Sequence, residues 1–244
     1  MKPAPENSDE LKIVLTGTII PNAPGAAAST PETRLTEYLQ VLKFCQQFAP
    51  VIFLENSGYP LQQHAEFADT ARLRVRQFPP STQPQRGKGY QEFEMLDAWL
   101  ASEPQPPARW LKITGRYHLT NLGALLAECR REIKHALLID QLAKQCFART
   151  HLFCVTTAFY QERIKNLYQQ CDDDRGEFIE HVLFRALEKI SPGQVRIFKT
   201  QPDFLARLGS TGNTLPSGSL QWFAKQCLRR VNHLVDERRL LYVR

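Results

Sequence analysis

The sequence predicts a single α/β domain: a mostly parallel central sheet flanked by helices. Short β-branched runs and stretches of helical apolar spacing alternate at least three times between Leu11 and Ile113, the pattern of βαβ units feeding a parallel, doubly wound sheet. A chain of 244 residues, 43% hydrophobic, is long enough for one sizeable core and too apolar for disorder.

After a leader at 1–10, residues 11–20 (LKIVLTGTII) form a β-branched run that stops at Pro21. Residues 33–48 place Leu35, Tyr38, Leu39, Leu42 and Cys45 at helical spacing. A second strand, 51–54, ends in the turn-rich ENSGYP; a short helix over 61–71 and a third strand over 73–78 follow. Residues 89–100 read as a helix with Phe93, Leu96 and Leu100 inward, and 110–113 as a fourth strand running into TGRYHLTN. The second half is more helical. Helices are expected over 122–131, 158–170 and 177–190, and strands over 135–139, 151–157 and 194–198. Residues 209–219 read as a flexible polar loop before a basic C-terminal helix from 220.

Ligands of such sheets sit beyond the carboxyl ends of the strands. That directs attention to Thr16 and Thr18, to Glu55, Asn56 and Ser57, and to the segment from Thr114 to Tyr117. The net charge of +6 suits an anionic partner. Six scattered cysteines without CxxC spacing read as reduced thiols, the first ten residues carry no apolar signal region, and no run reaches the length of a spanning helix. The expectation is a cytoplasmic protein, at most peripheral on the inner membrane.

The ordered motifs VIFLENSG (51–58), GKGYQE (87–92) and KITGRYHLTN (112–121) resemble the nucleotide-binding half of GT-A glycosyltransferases. They are also similar to bacterial glycosyltransferases of cell-surface polysaccharide synthesis, of lipopolysaccharide or capsule. The resemblance spans about residues 11–190. It implies a Rossmann-like GT-A domain, with a nucleotide-sugar half at 11–121, an acceptor and catalytic half at 122–219, and the basic helix at 220–244 in the same domain. It further implies that Thr16, Thr18, Glu55, Asn56 and Ser57 hold the nucleoside, and that Gly87, Lys88 and Gly89 line the donor site. The implied partners are a nucleotide sugar and a glycan or lipid-linked acceptor. GT-A enzymes commonly carry Asp-x-Asp at the end of the fourth strand to hold a divalent metal. This chain has Lys112, Ile113, Thr114, Gly115 and Arg116 there, and its Asp-x-Asp lies downstream at Asp172 and Asp174. The expectation is therefore an inverting transfer without cofactor or assigned metal ligand, the nucleotide sugar being substrate.

Such a transfer needs a base for the acceptor hydroxyl and stabilisation of the leaving phosphate. Lys112, Arg116 and Lys88 are the candidate phosphate-facing cations, Gly115 loosening the backbone so that Arg116 turns toward the ligand. Gly87 and Gly89 precede a helix N-terminus, which favours an anion; the GxxxxGK[ST] spacing of a P-loop is absent. Glu180 is preferred to Glu177 as base because Ile179 and Val182 flank it, implying partial burial and a raised pKa. Asp172, Asp173 and Asp174 read as a helix cap, and the histidines form no ligand pattern. The segment TTAFY (156–160) either lines an acceptor site or packs in the core. The last helix carries Phe223, Cys227, Val231, Leu234 and Val235 on one face, and Lys225, Arg229, Arg230, Arg238 and Arg239 on the other. Such a helix packs on its own domain or lies on an anionic bilayer. Two other readings stay open. One is a nucleic-acid-binding protein, suggested by charge but lacking any RNP, KH or helix-turn-helix pattern. The other is a catalytically silent nucleotide-binding scaffold subunit.

Overall fold

The computed structural model describes residues 10–22, 29–191, 193–207, 214–215 and 220–241. The first half lays down β1 (Lys12–Gly17), α1 (Pro31–Cys45), β2 (Val51–Glu55), β3 (Leu73–Gln77), α2 (Lys88–Ser102) and β4 (Arg109–Thr114). Then come β5 (His118–Leu119), α3 (Leu122–Arg131), β6 (Leu137–Leu142), β7 (Phe147–Thr156), the single turn α4 (Thr157–Phe159) and α5 (Ile179–Glu188). The chain closes with β8 (Val195–Arg196), β9 (Phe204–Arg207), β10 (Thr214–Leu215) and α6 (Leu220–Val235).

Seven strands form one sheet in the order β3-β2-β1-β4-β7-β6-β8. Within it only β7 runs against its neighbours, so the sheet is mostly parallel, as the alternating pattern requires. Strand periodicity divides the side chains between two cores. Ile13, Leu15, Leu111 and Ile113 pack with Tyr38 and Val41 of α1 and Leu122 and Leu125 of α3. On the other face Val14, Ile52 and Trp110 meet Phe93, Leu96 and Trp99 of α2 and Val182 and Leu183 of α5. Trp99 and Trp110 are fully buried there, edge to face at 5.3 Å. A small sheet, β10-β9-β5, flanks the main one.

Several elements depart from the sequence reading. The expected helix over 61–71 is two 3-10 turns, Leu61–Gln63 and Ala65–Phe67, interrupted where His64 is extended. The expected helix over 158–170 breaks into α4, a π-turn at Tyr160–Ile164 and a 3-10 turn at Leu167–Gln170. Asp97 of α2 is the cause: it accepts the Tyr160 hydroxyl at 2.8 Å and the Asn166 amide at 2.7 Å, and Asn166 takes φ 67°. Tyr160 and Phe159 are buried, so TTAFY belongs to the core. Strand β6 starts two residues later than expected and pairs with a longer β7, through a turn in which Cys146 has φ 50°. Within the expected loop 209–219, Thr214 and Leu215 pair with β9; the rest of that loop, other than residue 215, falls outside the described residues up to Leu220, as do residues 1–9 of the leader.

Helix α6 is turned over relative to expectation. Arg229 is fully buried, its two terminal nitrogens each 2.7 Å from an oxygen of Asp140 on β6, with Phe198 O and the Gln201 amide oxygen completing the shell. Asn232 is buried beside it, whereas Phe223, Val231, Leu234 and Val235 face solvent. The buried carboxylate of Asp140 explains the inversion, because a desolvated anion needs a fixed counter-charge more than the helix needs to bury its aliphatic side chains.

Candidate functional site

From β1 the chain winds outward to β2 and β3, then returns to pair β4 on the other side of β1. The carboxyl ends of β1 and β4 therefore flank the topological switch point, where a crevice is expected. A pocket of about 450 Å³ opens there, lined by Thr16, Thr18 and Thr114 from the strand ends, with side chains of α1, α2, β7 and α5 around them. Gly115 makes this closure possible through its size. A Cβ at that position would lie 2.7 Å from the Thr16 carbonyl oxygen, which accepts the Gly115 amide at 2.8 Å. Its role is close approach of the two strand ends, in place of the loosening expected from sequence.

Three cations gather on this pocket: Arg34 from the first turn of α1, Lys88 from the first residue of α2, and Arg116 just past β4. Arg34 is buried and donates to Thr18 O at 3.0 Å. Arg116 pairs with Glu37 at 2.9 Å. Burial lowers the pKa of Lys88, and the nearby charges of Arg34 and Arg116 lower it further, against the pull of Asp173. Burial followed by the charge of Arg116 lowers Arg34 in the same way. Like charges gathered in one pocket favour the presence of an anion. Sequence reading missed Arg34 because Leu35 and Leu39 marked the apolar stripe; the buried positions are Arg34, Tyr38, Val41, Leu42 and Cys45. The signal was an arginine at i−4 from Tyr38 and i−7 from Val41, directly after the Thr30–Pro31 helix start, whose threonine caps Thr33 N at 3.2 Å.

Beside the cations lie two carboxylates, Glu92 of α2 and Glu180 of α5. Lys112 is fully buried behind them rather than lining the pocket. Its ammonium contacts Glu92 at 2.6 Å, Thr114 Oγ1 at 2.9 Å and Thr150 O at 2.8 Å. The expectation that Lys112 faces phosphate is corrected: it fixes Glu92, which also accepts from the Thr16 and Thr114 hydroxyls. Burial lowers the Lys112 pKa despite the opposing pull of Glu92. Glu180 accepts the Thr150 hydroxyl at 2.8 Å, and burial raises its pKa above the ordinary 4.5, with the charge of Glu92 adding to the shift. Burial, with Arg149 and Lys112, drives the pKa of His151 down to about 3, so this ring is neutral where it stacks on Tyr117 at 5.3 Å.

Of the other residues expected at the site, Thr16, Thr18, Lys88, Gly89, Arg116 and Glu180 line the pocket, whereas Glu55, Asn56, Ser57 and Gly87 do not. Glu55 is completely buried and accepts from Ser57 N at 2.8 Å, Ser57 Oγ, Ile19 N at 3.3 Å and Gln77 Nε2 at 3.1 Å. Asn56 accepts the Thr18 hydroxyl at 2.7 Å. These residues clamp the loops after β1 and β2 and shape the pocket from behind. Gly87 has φ 103°, and a Cβ on it would strike the Asp173 carboxylate. Asp173 thus folds back against the start of α2, where it accepts the Lys88 amide, while Asp172 pairs with Arg175 at 3.3 Å.

No protein-family model matches the chain, and a search of curated sequences finds no relative. Solved structures do resemble it. Rv0371c from Mycobacterium tuberculosis H37Rv is 12% identical over 78% of this chain and 87% of that one, with a TM-score of 0.44. Its manganese complex gives 12%, the same coverage and 0.43. HddC from Yersinia pseudotuberculosis is 11% identical over 89% and 98%, with a TM-score of 0.43. Likeness at this distance carries no inference about activity or metal.

Proposed function

We propose that this pocket binds a nucleotide-activated sugar and transfers the sugar, with inversion, to a hydroxyl of a glycan or lipid-linked acceptor at the cytoplasmic side of a membrane. The observation that carries the reading is the gathering of Arg34, Lys88 and Arg116 in the same pocket as a carboxyl of raised pKa, Glu180. The acceptor oxygen attacks the anomeric carbon and its proton passes to Glu180. The bond from that carbon to the phosphate oxygen breaks, and its electron pair leaves with the phosphate. The growing negative charge is met by the three cations, which are in place before the reaction begins. A pocket of about 450 Å³ lies within the roughly 300–1,000 Å³ typical of small-molecule sites. No helix among the described residues is long and apolar enough to cross a membrane.

The phosphate is handled by cations in this reading, since the end of β4 presents Thr114, Gly115 and Arg116 where a carboxylate pair would serve a metal. The test is a thermal-shift series with uridine, guanosine, thymidine and cytidine phosphates and their sugar conjugates. One family should raise the melting temperature, by about 2.7 kcal/mol of added stability at 100 times its dissociation constant. Transfer should survive excess EDTA. Loss of transfer with EDTA, restored by magnesium or manganese, overturns the metal-free reading. Nucleotide binding without any transfer supports a silent scaffold instead. A salt-sensitive gel shift of a generic oligonucleotide, with no nucleotide effect, supports a nucleic-acid binder.

A further inference from the structure

We infer that the outward face of α6 is a docking surface for an anionic lipid bilayer. The helix turns its aliphatic residues away from the domain: Leu234 is 87% exposed and Val235 74%, and Phe223, Leu228 and Val231 are each about half exposed or more. At 3.6 residues per turn these five, with Cys227, fall within an arc of about 140°. The opposite side is fixed to the protein, because the Arg229–Asp140 pair and Asn232, which donates to Asp236 O at 2.8 Å and Arg239 O at 2.7 Å, hold it against β6 and the C-terminal turn. The helix therefore cannot roll to hide the arc without breaking a buried ion pair.

Charge identifies the occupant. Residues 220–235 contain Lys225, Arg229 and Arg230 and no aspartate or glutamate. With Arg229 buried, the exposed Lys225 and Arg230 border the arc on its two sides. An apolar stripe edged by cations matches the boundary between acyl chains and anionic headgroups. A second copy fits poorly, since pairing two arcs would bring like charges together on chains that each carry +6, and one helical stripe is small beside the roughly 800 Å² per partner of a stable interface. The buried anchor also ties this surface to the pocket: Asp140, the partner of Arg229, lies close enough to Arg149 and His151 of β7 to act on both, and His151 lines the pocket. The surface does not depend on the transfer reaction and stands or falls separately.

The test is co-sedimentation of the full chain with phosphatidylcholine vesicles, with and without phosphatidylglycerol. Binding is expected only with phosphatidylglycerol, falling as salt is raised. Val231→Gln, Leu234→Gln and Val235→Gln combined should weaken it by about a hundredfold or more, given about 0.8 kcal/mol per buried methylene. Lys225→Gln and Arg230→Gln should each weaken it roughly fivefold. All these positions are exposed, so melting temperatures should stay at the parent value. Absence of binding to anionic vesicles overturns the inference, as does binding that the triple variant leaves unchanged. A concentration-dependent dimer that the triple variant abolishes, without vesicle binding, assigns the arc to a second copy.

Discussion

Arg229 at the α6 anchor and Arg34 at the pocket are both buried, and the leading charge beside each is of opposite sign. At the α6 anchor Arg229 meets both oxygens of Asp140, a backbone carbonyl and an amide oxygen, so its charge and its hydrogen-bonding groups are answered within the protein. Burial raises the Asp140 carboxyl, but the guanidinium more than offsets this and holds it below its ordinary value. At the pocket the charge of Arg116 adds to burial in lowering Arg34, and those of Arg34 and Arg116 add to it in lowering Lys88. The anchor sets a cation against an anion, whereas the pocket sets cations beside one another, a repulsion that the anionic ligand proposed above would offset. Burial, which Arg34 shares with Arg229, therefore says little about role; the signs of the neighbouring charges say more.

The sharpest test of that contrast is stability at the anchor. Arg229→Ala leaves Asp140 buried with only the longer 3.9 Å contact to Arg149, and should cost about 3–5 kcal/mol in chemical denaturation. A loss under about 1 kcal/mol would mean water reaches Asp140 and the anchor is not dry. Next in size is Glu180→Gln, which keeps the shape but removes the proposed proton acceptor. Transfer should fall about a thousandfold, within the range for general-base loss. In the parent, the acid limb of the rate profile should sit above pH 4.5, because the base is ionised only above its raised pKa. A rate unchanged in Glu180→Gln assigns the base elsewhere. Third comes Lys88→Gln, for which transfer should drop about a hundredfold, or ~3 kcal/mol. Its melting temperature should hold or rise, since a repelling charge is gone. A large stability loss here would break the distinction between the two clusters.

Much of the fold was legible. β1, β2 and β4 announced themselves as β-branched runs ending at turn residues, and the parallel sheet followed from alternation with α1 and α2. The stretch after β7 was not legible, because Asp97, distant in sequence, captures Tyr160 and Asn166 and breaks a helix that local spacing favours. Thr16, Lys88 and Arg116 were singled out by their places at strand and helix ends and Glu180 by its apolar neighbours, and all four line the pocket. Glu55 was misassigned because a polar residue at a strand end looks the same in sequence whether it faces ligand or clamps backbone amides. Arg34 and Glu92 were overlooked for a related reason. Arg34 lies on a helix whose apolar stripe alone was read, Glu92 was quoted within GKGYQE without a role, and what distinguishes them is their neighbours, Thr18 and Arg116 for one and Lys112, Thr16 and Thr114 for the other. The facing of α6 was left open in the sequence on the same ground, since Asp140, which buries Arg229, decides it from 89 residues away.

The last test concerns His151, which sits between the two clusters. Its imidazole feels burial first, then the charges of Arg149 and Lys112, with Asp140 pulling the other way, and its pKa falls from 6.5 to about 3. In the unfolded chain the ring takes up a proton near pH 6.5, whereas in the folded chain it does so only near pH 3. Between those values the unfolded state holds more protons, so His151 makes the protein less stable as pH falls through this window and has no effect above it. One full proton corresponds to a slope of about 1.36 kcal/mol per pH unit. His118, His135 and His233 also have lowered pKa values, so the parent slope alone identifies nothing. The difference between parent and His151→Phe isolates this ring, and phenylalanine can keep the contacts with Tyr117 and Phe204 at 5.3 and 5.1 Å. Stabilities from denaturant unfolding at intervals from pH 7 down to pH 4 should differ in slope, the variant losing stability less steeply by up to one proton's worth. Parallel curves would mean that His151 is hydrated enough to protonate normally. The pocket would then carry a fourth cation at mildly acidic pH, which would widen its contrast with the neutralised anchor.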